Sequence, residues 1–259
     1  MIVNKEMKEH MIDALKKGLR FDGRKNDELR KAVVEYDVSM TAEGSAKVSL
    51  GDTVVIAGVK LSVEKPYPDT PDEGMLMVNA EFMPMANPDF ESGPPSSESV
   101  ELARVVDKGI RECRAIDTKK LCIEPGEKAW SVGIDIMTMN DDGNLLDAAG
   151  LAAMAALKVS RLPKLNEDGT ISYDEKTDEK LPVSKEPMLV TVHMIGDEII
   201  VDPKLDEEHC SDARISVSYV DDKTICAIQK GGEKALTIDQ IDKMVGVAMK
   251  KAKELRKAL

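Results

Sequence analysis

Arg104, Lys108 and Arg111 recur at i, i+4 and i+7 in a chain whose formal net charge is −12. On a helix that spacing puts three cations on one face, while Leu102, Val106 and Cys113 line the opposite face. A spaced row of cations on an acidic protein suits a polyanion such as RNA. The same segment also permits ordinary ion pairs. Asp107 stands three residues after Arg104 and four before Arg111, and Glu112 stands four after Lys108. Spacing alone favours that ion-paired surface.

A second group is acidic. Asp202, Asp206, Glu207, Glu208 and Asp212 follow a strand-like run over 198–201. Carboxylates at a strand end can hold magnesium or supply a general acid. A charged surface loop after Pro203 is the more ordinary reading. A third group is Asp141-Asp-Gly-Asn144, which opens an apolar helix. A glycine-containing loop at a helix N-terminus can hold phosphate. Leu145, Leu146 and Asp147 are poor neighbours for an anion, so a turn with Asn or Asp capping the helix is expected. Asp22-Gly23-Arg24 forms another turn, whose Arg24 can pair with a carboxylate or reach a partner.

Other chemistry is excluded or disfavoured. There is no Walker A loop, GxGxxG, HExxH or nucleophile elbow. The four cysteines show no CxxC pair and read as reduced thiols, two or three of them in core positions. Three scattered histidines make a zinc site improbable, and no metal is expected. Aromatics are only 3% of residues, so stacking of many bases is not the main device. No apolar run is long enough to span a membrane, and the first ten residues lack a signal-peptide core. The expected location is cytoplasmic.

The elements that must position these groups are legible from periodicity. A helix is expected near 5–17. Lys31–Met40, Ala46–Leu50, Thr53–Val63 and Met75–Met85 read as strands, with Gly51-Asp52 as a two-residue hairpin turn. The Pro94-Pro95 pair disfavours helix, after which Ser96 or Ser97 caps the cationic helix and Glu98 and Glu101 suit its positive end. Trp130–Met139 alternates as a half-buried strand, and Leu145–Ser160 is a helix with almost no polar face. Residues 164–186 are charged and bounded by prolines, which predicts a solvated connecting loop. Met188–Ile195, Glu198–Val201, Ala213–Val220 and Lys223–Ile228 form a second strand cluster. The closing helix carries a seam of Ile238, Ile241, Val245, Ala248, Ala252 and Leu255. Runs of strands followed by helices indicate an α+β fold.

As a set, these segments resemble the ribonuclease PH family. Leu19-Arg-Phe-Asp-Gly-Arg24 resembles its R-x-D-G-R opening. Gly51-Asp-Thr-Val-Val-Ile-Ala-Gly-Val-Lys60 resembles its G-x-T-x-V-x-x-x-V strand pair, and Ser99–Arg111 its central helix. Asp142-Gly-Asn-Leu-Leu-Asp-Ala-Ala149 stands at its D-G-G-[ST]-R loop, and Asp202-Pro-Lys-Leu-Asp-Glu-Glu208 at its late acidic motif. The resemblance implies antiparallel or mixed sheets with packed helices in two subdomains. The implied division is an N-terminal helix (1–18), a first domain (19–163), the acidic loop (164–186) and a second domain (187–259).

The departures choose a branch. Active members hold inorganic phosphate on the D-G-G-[ST]-R loop, whereas Asn144, Leu145 and Leu146 stand here. Glu208 replaces the last aspartate of the late motif, although Asp202 remains as a residual acidic site. These features are similar to the non-catalytic ring subunit of the archaeal exosome. That branch implies a hexameric ring with a catalytic ribonuclease PH-like partner, as a trimer of heterodimers under S1/KH or zinc-ribbon cap proteins. The ring degrades single-stranded RNA from its 3′ end by phosphorolysis. It also implies that this chain binds no cofactor, while the complex uses phosphate and Mg2+. Arg104 and Lys108, with Arg111, would contact RNA. Lys108 departs from an arginine often found there, keeping charge but losing the planar fork. The competing readings are an active phosphate-dependent 3′–5′ exoribonuclease acting as a homohexamer, and a small-molecule kinase on a related scaffold.

Overall fold

The computed structural model describes residues 5–166 and 170–259, with 173–176 described by backbone alone. Helix α1 (Lys5–Lys16) precedes a first sheet of β1 (Ala32–Tyr36), β2 (Gly44–Leu50), β3 (Thr53–Glu64), β4 (Met75–Phe82), β5 (Cys122–Glu124) and β6 (Lys128–Asn140). Its spatial order is β1-β2-β3-β6-β4, with β5 also on β6. All its pairs are antiparallel except β4 with β6, so the sheet is mixed. The Gly51-Asp52 turn joins β2 to β3 with Leu50 opposite Thr53, and Gly51 adopts φ +58°. A left-handed conformation there is what a tight hairpin turn requires of glycine.

The second sheet holds β9 (Met188–Ile195), β10 (Glu198–Val201), β11 (Ala213–Tyr219) and β12 (Ile225–Gly231) in the antiparallel order β10-β9-β11-β12. Between the sheets lie α2 (Ser97–Glu112) and α3 (Leu145–Val159), each touching strands of both. One continuous core therefore joins the two halves. Every α3 residue from Leu145 to Leu157 is buried, as its lack of a polar face predicts. Each fully buried leucine there contributes roughly 2 kcal/mol. Gly150 is required by close approach, because a Cβ would lie 2.9 Å from Leu189 Cβ on β9.

Three expectations need correction. The 164–186 segment is not a structureless loop. β7 (Arg161–Leu165) and β8 (Ile171–Lys180) form an antiparallel ribbon, closed by Asn166 N–H donating to Thr170 O at 2.9 Å. Buried Leu162 and Leu181 anchor its base. The ribbon makes its own two-stranded sheet, so its sequence carries no apolar alternation to read. Residues 167–169 of the expected loop lie outside the described residues. In the closing helix α5 (Ile238–Leu255), Ile238 is exposed and Met244 is buried instead. Ile238 sits in the first turn beside the Thr237 cap, one turn before the helix reaches the core. Finally, Asn144 occupies the N-cap position of α3 without a side-chain cap, because its amide is used elsewhere.

Candidate RNA-facing helix and the closed anion site

Helix α2 has the two faces its period implies. Ser96 caps it, accepting from Ser99 N–H at 3.2 Å. Leu102, Val106 and Cys113 are buried, while Arg104, Lys108 and Arg111 are exposed. Of the expected ion pairs, one forms. Arg111 donates to both Asp107 carboxylate oxygens at 2.9 and 2.7 Å, and also to Leu76 O at 2.8 Å. Arg104 and Lys108 pair with no acid among the described residues, and Glu101 turns instead to Arg214 at 2.7 Å. Two of the three cations thus stay available to an external anion.

The late acidic segment does not form the expected charged surface loop. Asp202 is fully buried and Glu207 nearly so, because three arginines from the segment after α1 reach them. Arg20 Nε donates to Glu207 Oε1 at 2.8 Å, and its Nη1 and Nη2 donate to the carbonyls of Val201 and Asp202. Arg24 Nη1 donates to Asp202 Oδ2 at 2.8 Å, and its Nε to Asp22 at 2.7 Å. Arg30 places its backbone N–H 2.6 Å from Asp202 Oδ2 and its Nη2 2.7 Å from Oδ1. Asn144 Nδ2 supplies a further donor to Asp202 Oδ1 at 2.9 Å and reaches Asp147 Oδ2 at 3.1 Å. Asp206 remains exposed, and Asp212 pairs with Lys8 at 2.5 Å.

Backbone strain concentrates here. Asp202 and Asn144 adopt φ +48° and +59°, in the left-handed region that non-glycine residues rarely occupy. Gly143 fits only as glycine, with φ +83° and its would-be Cβ 2.5 Å from Pro203 O. The 141–144 loop is thereby pressed onto the acidic segment. In that position Asn144 N–H donates to Glu208 Oε2 at 2.8 Å. The chain's own carboxylate therefore occupies the amide at the start of α3, where an anion would bind.

The electrostatics keep Asp202 ionised. Burial raises the Asp202 pKa, but hydrogen bonds and charge from Arg30, with Asn144, outweigh it and hold the carboxyl below its usual range. A carboxylate fixed by two guanidinium groups is no proton donor at neutral pH. Glu208 is pushed the other way by burial and by the Asp141 charge, against the Asn144 hydrogen bond. Burial drives Asp147 well above the ordinary carboxyl value, and the Asp202 charge adds to it. Next to these groups opens a cleft of about 1180 Å³ whose walls include Glu81, Asp89, Asp135, Asp141 and Glu208, with Arg214 as a paired cation. Among the described residues no three His, Cys, Asp or Glu side chains gather to hold a metal. The residues at the loop do not fit phosphate either. Asn144, Leu145 and Leu146 offer no hydroxyl or cation, and the amide is taken.

Sequence reasoning places Arg24 and the acids at their motifs but misses Arg20 and Arg30 as the groups that bury them. The available signal was numerical: three arginines stand within 20–30, and the five acids of 202–212 stand against a single lysine, Lys204. No helix of the described residues is long and apolar enough to cross a membrane.

Residues 28–163 match domain 1 of the 3′ exoribonuclease family, and residues 185–251 match its domain 2. The chain is 45% identical to the exosome complex component Rrp42 of Sulfurisphaera tokodaii, covering 96% of this chain and 91% of the relative. It is 44% identical to Rrp42 of Methanothermobacter thermautotrophicus, covering 98% and 94%. A solved structure of the Archaeoglobus fulgidus exosome with RNA bound to the active site contains a chain that is 44% identical, with TM-score 0.90 and 97% of each chain covered. An archaeal exosome core contains another at 40% identity and TM-score 0.86, covering 97% of this chain and 95% of that one. The chain belongs to the 3′ exoribonuclease, or ribonuclease PH, family.

Proposed function

We propose that this chain is a catalytically silent ring subunit of an archaeal exosome, contributing RNA contacts and structure to the active site of a catalytic partner. The observation that carries this reading is the Glu208 carboxylate 2.8 Å from Asn144 N–H, with Asp202 locked between Arg24 and Arg30. The loop amide and the Asp202 carboxylate are both engaged inside the fold. The relatives named as exosome components, and the exosome structures that contain similar chains, support the assembly. In this reading the partner is a ribonuclease PH-like subunit that alternates with this chain as a trimer of heterodimers. Cap proteins of the S1/KH or zinc-ribbon type sit above the ring, in the cytoplasm. Phosphate and Mg2+ serve the partner's site. Arg104 and Lys108 hold the backbone of single-stranded RNA, with Arg111 more tightly engaged by Asp107.

The test is phosphorolysis of 3′-labelled RNA. The chain purified alone is expected to release no nucleoside diphosphate, and to yield an active complex of hexameric mass when co-expressed with the partner. Robust release by the chain alone would establish the active homohexamer instead. A stable monomer indifferent to the partner would overturn the ring assignment.

Restoring the loop is expected to be insufficient. Asn144→Gly, Leu145→Ser and Leu146→Arg supply the missing groups, but Glu208 still holds the amide and Asp202 is still sequestered. Positioning errors near 1 Å cost roughly a hundredfold in rate. The triple variant alone is expected to stay at background in the same assay, and activity near that of the assembled ring would refute this account.

A further inference from the structure

Two of the four cysteines meet where α2 crosses the second sheet. α2 approaches that sheet closely at Gly109, where a Cβ would lie 2.8 Å from Ser218 Oγ. Opposite it the β11–β12 ladder is irregular. Ser218 pairs with Ala227 and Tyr219 with Ile225, which leaves Cys226 as the extra residue of a bulge. A bulge turns one side chain out of the regular alternation. The Cys226 thiol accordingly reaches the carbonyls of Ser218 at 3.3 Å and Gly109 at 3.6 Å. Cys113, at the C-cap of α2, reaches the next carbonyl of the same turn, Ile110, at 3.5 Å. The two thiols thus sit against adjacent carbonyls, one from each half of the fold, and each is the other's main electrostatic partner.

We propose that Cys113 and Cys226 are a peroxide-sensitive pair that closes to a disulfide joining α2 to β12. The Cys113 thiolate attacks a peroxide oxygen and breaks the O–O bond, giving a sulfenic acid and water. The Cys226 sulfur then attacks the sulfenic sulfur. Its proton leaves with the displaced hydroxyl as a second water, so two thiols and one hydrogen peroxide become one disulfide and two waters. The surroundings assign these roles. The hydrogen bond with Cys226 lowers the Cys113 pKa, burial opposes it, and the Lys185 ammonium, whose Nζ lies 2.7 Å from Cys113 O, adds to the lowering. Cys226 is pushed up by the same hydrogen bond and by burial, as befits the resolving thiol. Cys210 lies apart in the small core under α1, with its own thiol pushed up by burial. Closure would fasten the helix that carries Arg104 and Lys108 to the second sheet.

The test treats the native full-length chain with hydrogen peroxide, followed by unreduced peptide mass spectrometry. A Cys113–Cys226 cross-linked peptide is expected, lighter by two hydrogens than the sum of its parts. The thermal midpoint is expected to rise by roughly 5–10 °C and to return with dithiothreitol. In Cys226→Ser the Cys113 sulfur is expected to proceed to sulfinic acid with no rise. The proposal is overturned if Cys113 oxidises in the native chain without joining Cys226. It is also overturned if Cys122 or Cys210 cross-links as readily, or if the pair forms only in denaturant.

Discussion

Replacing Asp202 with Ala is expected to destabilise the protein by about 3–5 kcal/mol, the cost of leaving buried guanidinium groups without their counter-charge. The carboxylate is fully buried and accepts from Arg30, Arg24 and Asn144, so no solvent can replace it. In a chain of 259 residues that loss lowers the thermal midpoint by roughly 10 °C. Asp202→Asn, which retains shape and one acceptor oxygen, is expected to cost less than the alanine variant. The pH dependence has a definite sign. Asp202 has a folded pKa below its ordinary 3.8, so its contribution is complete above that value and is lost as pH falls through the folded value. Wild type should therefore lose stability in acid below about pH 4 more steeply than Asp202→Ala. Glu208 and Asp147, whose pKa values are raised, contribute in the opposite direction as pH rises. Thermal melts across the acid range decide the matter. A variant that melts with wild type would make Asp202 a spectator, and the closed-site account would fail with it.

The double replacement Arg104→Glu and Lys108→Glu is expected to weaken RNA binding by the assembled ring tenfold or more, for every sequence alike. Both side chains are exposed and pair with no acid among the described residues, so the change falls on the ligand. Contacts to single-stranded phosphate carry a salt slope of roughly 0.7 each. Losing two should lower the slope by roughly 1.4, about a sevenfold change in affinity between roughly 50 and 200 mM salt. Turnover of long RNA should fall although no reacting group has been altered. Stability should change by only about 0.5 kcal/mol, because no buried contact is broken. Affinity and salt slope measured by fluorescence anisotropy provide the check. A double variant indistinguishable from wild type across the salt series would leave α2 with an ordinary charged face. Arg111→Glu alone should act differently, because it also breaks the Asp107 pair and the contact to Leu76 O.

Much of the architecture was readable from local pattern. The β-branched runs and the Gly51-Asp52 turn locate β2 and β3 within a residue or two, because a half-buried hairpin imposes a period of two and a positive φ. The two faces of α2 and the buried length of α3 follow from helical periodicity. The β7–β8 ribbon escaped that reading, since a strand pair outside the core needs no apolar alternation. The parallel pairing of β4 with β6 makes the first sheet mixed, as the family resemblance allowed.

Composition and periodicity alone determine an acidic α+β chain with a cationic helix face, and the ordered motifs identify its family and show Asn144, Leu145 and Leu146 at the loop. Each of these is written in neighbouring residues, where spacing and turn chemistry act directly. The fate of the acids was decided only in three dimensions. Locally, Asp202–Asp212 looks like a solvated loop, because six charges in eleven positions, five of them acidic, favour water. Their burial depends on Arg20, Arg24 and Arg30, which lie 172 to 187 residues away along the chain. No local period encodes such a pairing. It appears when the segment after α1 is folded against the end of β10, and the same closure sets Glu208 on the amide that opens α3.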